Sequence, residues 1–366
     1  MNSRQHEGAL FLPFMQIPTG HHHVADAVME ELEHIINEIT CEKVDILSYS
    51  YGKIEKLVTA TYLNSIRIMP KAYNSLYHFL AVKNQSKRSR QFLYELLFTS
   101  FFKRLILQHH PRVLFCTHCL PSNIASVLKE KGKLQAITVN VYTDFFVNRV
   151  WGIRGIDYHF VPSIRVKQFL LNLGVKEEKI FVTGIPIHPI FHKHQDKKGK
   201  MKNHILIAGG SLGVGSMEKL IPKNPTLTYS VLCGHNRKLH EHIIKMNHPQ
   251  IIPIPYLHSK EAMNHLYHQV DAVITKPGGV TISECLHKQI PIFTCNALPG
   301  QEKINEMELR ELGIINSLDP FINIETQILD FFLDQDRLFN YQENIKAYHQ
   351  DLDIQSLSDI LLSIYK

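Results

Sequence analysis

VDAVITKPGGVTISECLH, residues 270–287, is the stretch whose reading decides the fold. Residues 270–275 are a short apolar run of the kind that fills a buried strand. Pro277, Gly278 and Gly279 break it, and residues 280–287 open with helical spacing. A strand, two glycines and a helix start leave backbone N–H groups where no Cβ blocks approach, which makes a natural anion site. Thr281 and Ser283 add hydroxyl donors beside it. Glu284, one turn into the helix, cannot serve a phosphate, but a carboxylate there suits the two hydroxyls of a ribose. Phosphate donors with a ribose acceptor point to a nucleoside diphosphate; the plainer alternative is a structural strand–helix turn.

The same strand-then-helix rhythm runs outward through the chain. Strands are expected at 9–17, 44–50, 112–118, 136–144, 157–163 and 179–185, with helices at 24–39 and 123–132 and a basic helical region after residue 50. Residues 186–203 are polar, basic and proline-containing and read as a linker. A second series of strands follows at 204–210, 229–234, 250–256, 271–275, 291–295 and 313–317. Strand and helix in alternation imply parallel sheets covered on both faces. A chain of 366 residues exceeds one ordinary core and suits two domains. We expect a first domain at 1–190, a linker at 191–203, a second domain at 204–340 and a helical tail at 341–366 that returns to the first. Two such domains would place ligands at the carboxyl ends of their strands, facing a cleft.

Other motifs fall at those same strand ends. ILIAGGSLGVG (205–215) lacks the P-loop pattern and a clean dinucleotide fingerprint, and Gly209 and Gly210 read as the lining of a phosphate-side loop. In ALPGQEKINE (297–306), Gln301, Glu302 and Asn305 form a polar set fit for the hydroxyls of a sugar, or simply an acidic helix start. PTGHHHVADAV (18–28) puts three adjacent histidines between a strand and a helix. Neighbours on a helix point apart, so one histidine acting as a general base fits better than a metal site. CTHC (116–119) has no second pair at zinc spacing, and the six scattered cysteines read as buried thiols rather than a disulfide framework. DQD (334–336) and DLD (351–353) read as solvated faces. No metal site is expected.

Hydrophobic residues make up 44% and charged residues 20%, as in folded globular proteins. No apolar run approaches the roughly 20 residues a membrane span needs, and the N-terminus reads as a first strand rather than a signal peptide. The net charge of +6 is unevenly spread: between Tyr51 and Phe115 eleven Lys/Arg face two Glu, interleaved with nine Tyr and Phe. Lys87, Arg88, Arg90, Lys103 and Arg104 belong to this segment. Basic and aromatic residues in alternation suit an anionic membrane surface; a solvated helical face and a nucleic-acid patch are the alternatives.

On GHHHVADAV (20–28), CTH (116–118), TDFFVNRVW (143–151), VTGIPIHPIF (182–191), TKPGGVTISE (275–284) and PGQEKINE (299–306), the chain resembles glycosyltransferase family twenty-eight. It is most similar there to the processive diacylglycerol glucosyltransferases and the monogalactosyldiacylglycerol synthases. The resemblance implies a GT-B fold, two Rossmann-like domains with parallel sheets facing a central cleft. It implies a UDP-sugar-dependent hexosyltransferase that inverts configuration and needs no cofactor, with a lipid or small-molecule acceptor and no nucleic acid. Carried over by position, Lys276, Gly278, Gly279, Val280, Thr281 and Glu284 contact the nucleotide. Gly234, Asn236, Tyr256 and Leu257 lie near the base, and Gln301, Glu302 and Asn305 near the sugar. His21 and Asp144 are the candidates for acceptor activation, and Gly20, His118, Phe145 and Asn148 line the acceptor side. The sequence departs from the family at Asn148, where a histidine is usual, at Cys119, where a proline is usual, and in the GGSLGVG loop. The implied location is cytoplasmic, at the inner face of the cell membrane. A UDP-sugar epimerase, a transferase acting on a soluble acceptor and a binding protein that only retains UDP affinity are the alternatives.

Overall fold

Short apolar runs buried along their length make the strands of this protein. Parallel sheets covered on both faces require such runs, because neither side of the strand meets water. The computed structural model describes residues 8–14, 20–51, 92–192, 201–209, 217–295, 297 and 300–365. Gly210 and the basic residues Lys87, Arg88 and Arg90 lie outside them. The chain forms two units, residues 1–187 with 351–366, and residues 188–350.

The first unit opens with β1 (Ala9–Leu12), α1 (Gly20–Ile35), β2 (Cys41–Lys43) and α2 (Ile46–Tyr51). It continues through α3 (Phe92–His109), β3 (Val113–Cys116), α4 (Cys119–Glu130), β4 (Ile137–Val141), β5 (Tyr158–Val161), α5 (Ile164–Asn172) and β6 (Ile180–Val182). All described pairings are parallel, in the order β2-β1-β3-β4-β5-β6. Every residue of β1 and β3 is buried, and Phe11 stacks on Phe115 across them with ring centroids 4.7 Å apart.

Local chemistry moved three expected boundaries. The strand expected at 44–50 is instead β2 followed by α2. Asp45 is the reason: its Oδ1 accepts from the amides of Leu47 at 2.7 Å and Ser48 at 3.4 Å, which caps a helix inside an apolar run. The helix expected from Val24 begins at Gly20, so the three histidines sit in its first turn. The helix expected from Asn123 begins at Cys119, because His118 takes the cap position and its Nδ1 accepts from the Leu120 amide at 3.2 Å.

The second unit contains β7 (His204–Ala208), β8 (Thr228–Gly234), α6 (Arg237–Met246), β9 (Ile251–Pro255), α7 (Lys260–Gln269) and β10 (Ala272–Thr275). Then come α8 (Gly279–His287), β11 (Ile292–Thr294), α9 (Gln301–Glu311), β12 (Asn316–Ser317), α10 (Ile324–Leu333) and α11 (Gln335–Gln350). Its strands lie in the order β12-β11-β10-β7-β8-β9, again all parallel. This is the Rossmann arrangement, in which the chain builds outward in one direction from the first strand and then restarts on its other side.

Helix α11 runs through residue 341 without a break. The buried Tyr341 accepts from the Ile292 amide at 3.0 Å and donates to Ile314 O at 3.1 Å, fixing the helix to the second sheet. The final helix, α12 (Leu357–Tyr365), belongs to the first unit, where Ser358 donates to Glu31 of α1.

Asp353 ties the returning chain to the edge of the first sheet. Its amide donates to Val182 O at 2.9 Å, and its Oδ2 accepts from the Val182 amide at 2.7 Å. Asp353→Ala removes one of these two bonds and is expected to destabilise the first unit by about 1–2 kcal/mol. A fall in the urea midpoint checks this; an unchanged midpoint would show that the pair adds nothing.

Candidate functional site

Each sheet has one place where strands adjacent in space leave in opposite directions along the chain, and loops part there to open a crevice. In the first sheet it lies between β1 and β3. The chain after β1 leads to His21, and the chain after β3 leads to Thr117 and His118. In the second sheet it lies between β7 and β10, so Gly209 and the turn 276–279 flank it.

In the first unit, His21 Nδ1 lies 2.8 Å from Thr117 O and 2.9 Å from Thr143 Oγ1. A carbonyl only accepts, so Nδ1 carries the proton and Nε2 keeps a bare lone pair. His118 is set the other way. Its Nδ1 accepts from Leu120, so its Nε2 carries the proton. The two rings meet edge to face with centroids 4.7 Å apart, and Phe14 stacks on His118 at 4.8 Å. Burial lowers the pKa of His21 to about 4, aided by the nearby His22 and opposed by the Thr117 bond. Burial and His21 hold His118 well below its ordinary value. Both imidazoles are therefore neutral at pH 7, one offering a lone pair and the other a donor.

The other expected acceptor-side residues fare differently. Gly20 is the first residue of α1. Asp144 is half-buried, one residue from Thr143, and its charge faces the Cys119 thiol. Asn148 accepts from the Val150 amide at 2.9 Å and its side chain also faces that thiol. Phe145, expected to line the acceptor side, is fully buried and belongs to the core. Thr117 and Thr143, which set the tautomer of His21, carry no sequence signal beyond standing next to a histidine and an aspartate. Lys103 and Arg104 are exposed on α3 with Leu96 and Leu107, while Phe98, Phe102 and Leu105 of the same helix are buried.

In the second unit, α8 starts four residues after β10 ends. Gly278 is its cap residue, with φ −93° and ψ 138°. The Gly278 amide donates to Lys276 O at 2.7 Å, so it is spent within the turn. The next three amides, of Gly279, Val280 and Thr281, meet no acceptor among the described residues, and the ladder begins with Ile282 donating to Gly278 O. A Cβ added at Gly278 would meet nothing within 4 Å. The glycine is thus not demanded by its backbone angles; it leaves space open beside three amides that carry the positive end of the helix dipole. Asn305, expected at a sugar, is fully buried instead, and its Nδ2 donates to Pro277 O at 2.7 Å, bracing the turn from α9.

One stripe of α8 reaches the surface: Val280, Thr281, Glu284 and His287. Ser283, expected as a hydroxyl donor, lies on the buried side. Glu284 Oε2 accepts from Tyr267 Oη at 2.7 Å. Burial raises the Glu284 pKa to about 7, against the Tyr267 bond and the charge of Lys260. Beside the turn, Lys276 Nζ lies 3.7 Å from Glu302 Oε1 at the start of α9, whose cap Gly300 has φ 92°, an angle that favours glycine. Gln301 is half-buried at the first position of that helix.

Of the residues expected near a base, Gly234 ends β8 at φ 56°. Asn236 uses its Oδ1 to cap α6, accepting from Leu239 at 3.1 Å. Tyr256 stacks on His235 with centroids 4.1 Å apart, and Leu257 beside it is half-buried. The stack places a flat aromatic surface at the ends of the neighbouring strands β8 and β9. Among the described residues, no three His, Cys, Asp or Glu side chains group to hold a metal ion, and no helix is long and apolar enough to cross a membrane.

The profile of the monogalactosyldiacylglycerol (MGDG) synthase family matches residues 21–187. The glycosyltransferase YkoN of Bacillus subtilis (strain 168) is 41% identical over 364 residues, covering 97% of this chain and 96% of that protein. The processive diacylglycerol beta-glucosyltransferase of Bacillus pumilus (strain SAFR-032) is 26% identical over 363 residues, covering 93% and 91%. Among solved structures, Acinetobacter baumannii MurG superposes with a TM-score of 0.60 at 12% identity, covering 98% of this chain and 99% of that one. The UDP-GlcNAc 2-epimerase of Neisseria meningitidis, bound to UDP-GlcNAc, does so with 0.56 at 14% identity, covering 98% and 99%. The fold is GT-B.

The neutral, Nδ1-protonated state of His21 is open to direct measurement. Side-chain ¹⁵N spectra should show its Nε2 bare from pH 8 down to about 5, with protonation only near pH 4. Titration of His21 near 6.5, the ordinary value, would contradict the geometry.

Proposed function

The chain belongs to glycosyltransferase family twenty-eight, alongside the diacylglycerol glucosyltransferases and MGDG synthases, and we propose that it moves a hexose from a UDP-sugar to a lipid hydroxyl with inversion. The observation that carries this reading is the run of three amides, Gly279 to Thr281, that meet no acceptor among the described residues, beside the space at Gly278. A diphosphate fits that chemistry, and Glu284 on the same stripe suits the ribose hydroxyls. Lys276 adds a cation at the turn, and Glu302, 3.7 Å from it, and Gln301 beside it at the start of α9 are the polar groups proposed for the sugar. The His235–Tyr256 stack offers the uracil ring a face.

In this mechanism the acceptor oxygen attacks C1 of the sugar as its proton passes to His21 Nε2. The bond from C1 to the phosphate oxygen breaks, and its electron pair leaves with UDP. A single displacement inverts the anomeric carbon. Charge grows on the leaving diphosphate in the transition state, where fixed N–H dipoles act most strongly. The low pKa of His21 keeps its lone pair free at pH 7, and Asp144 is the second candidate for that proton. His118, with its proton on Nε2, can donate to the same hydroxyl.

A lipid acceptor, diacylglycerol or a glycolipid, is supported by the names of the relatives and by the exposed face of α3. Leu96 and Leu107 are 79% and 69% exposed beside Lys103 and Arg104. A face that mixes leucine with Lys and Arg suits peripheral binding to an anionic membrane, at about 1 kcal/mol per basic residue. The corresponding location is the inner face of the cell membrane.

The test is UDP release from UDP-glucose, UDP-galactose and UDP-N-acetylglucosamine, each with diacylglycerol vesicles and with soluble acceptors. Release that depends on diacylglycerol is expected; an epimerised UDP-sugar formed without any acceptor would overturn the reading. Gly278→Ala is the matching variant. Its φ of −93° is ordinary and its Cβ meets no atom, so stability should be unchanged. Its methyl enters the space given to the diphosphate, and donor affinity should fall by about tenfold or more. Wild-type affinity in this variant would move the phosphate site elsewhere.

A further inference from the structure

Glu284 is not alone on its stripe. Helix α7 lies against it and contributes Tyr267, which is 0% exposed and whose ring meets Phe191 edge to face at 5.8 Å. Phe191 is itself buried. The phenol is therefore held in place by packing and not by solvent. Its hydroxyl donates to Glu284 Oε2 at 2.7 Å, while Glu284 Oε1 takes no hydrogen bond among the described residues. One carboxylate oxygen is clamped and the other is left over.

We propose that Tyr267 is a positioning residue for donor recognition, holding one oxygen of Glu284 so that the other receives the ribose hydroxyls. This rests on the reading of Glu284 as the ribose acceptor. A buried phenol needs some acceptor, and a carbonyl would serve it as well. What a carbonyl would not explain is the state of Glu284. A half-buried carboxylate loses hydration, which favours its protonated form. Burial is the largest influence on Glu284, and the Tyr267 hydroxyl and Lys260, both on α7, oppose it. Cys285, the next residue on α8, has its thiol against Tyr267 rather than as a charge on Glu284. Ribose hydroxyls donate best to the ionised carboxylate, so the Tyr267 bond both sets its direction and favours the form that binds.

The sign of the pH effect follows. Glu284 is ionised above a pKa of about 7 and protonated below it. Affinity for the donor should be full at high pH and fall as pH drops through that value. Removing the Tyr267 hydroxyl takes away a bond to the ionised form, so the midpoint should move upward.

The experiment is calorimetric titration with UDP-glucose from about pH 5.5 to about pH 8.5, a range in which its diphosphate diester stays fully ionised. Wild type, Tyr267→Phe and Glu284→Gln are compared. Tyr267→Phe keeps the ring against Phe191, and its thermal midpoint verifies the fold. The expected result is a wild-type midpoint near 7, a midpoint about one unit higher in Tyr267→Phe, and a flat, weakened profile in Glu284→Gln. A Tyr267→Phe midpoint equal to that of wild type, with Glu284→Gln flat, would leave the ribose reading standing and overturn the role of Tyr267. A Glu284→Gln variant with wild-type affinity and pH profile would overturn both.

Discussion

The first amides of a helix have no carbonyl behind them to bond. In most proteins a side chain or water fills that gap. Here α8 begins with Gly279, and Gly278 holds the cap position, so no side chain turns back to close the end. The sheet places this exposed end between β7 and β10, where neighbouring strands part. The positive helix end thus lacks a side-chain cap, while Asn305 braces the turn by donating to the Pro277 carbonyl. Preorganised dipoles need no rearrangement when charge develops, which is the condition for their acting on a leaving diphosphate.

The first unit applies a related economy to a proton. Two histidines that differ by 97 positions are brought together at the starts of the helices that follow neighbouring strands of one sheet, and each has its Nδ1 committed to a different partner. A carbonyl fixes one as a lone-pair bearer, and a helix-start amide fixes the other as a donor. Burial keeps both neutral, so the pair can face an uncharged hydroxyl without first losing a proton to solvent. The proposed transfer divides between the units along this line, with charge handled in the second and the proton in the first.

Much of this was legible in the sequence, for definite reasons. Apolar runs that alternate with helical spacing gave the parallel sheets, because strands buried on both faces admit few polar residues. The glycines of the KPGG turn were legible because glycine before a helix leaves a recognisable gap. Asp45 was not: an aspartate within an apolar run reads as a flaw in a strand, and only its bonds to Leu47 and Ser48 reveal a cap. The burial of Asn305 and Phe145 was not legible, because burial is a property of the packed chain, and an amide or a ring looks the same facing a ligand or facing the core. Tyr267 was invisible: it lies in a helix of mixed character seventeen positions before Glu284, and nothing in the sequence marks it as more than a core aromatic.

The central claim is that the amides at the start of α8 receive the diphosphate. Amide ¹H–¹⁵N spectra recorded while UDP-glucose is added test it most directly. The account expects the amide protons of Gly279, Val280 and Thr281 to move strongly downfield together, with Gly278, whose amide is already bonded to Lys276 O, moving less. Saturable binding with those three resonances unmoved would contradict it.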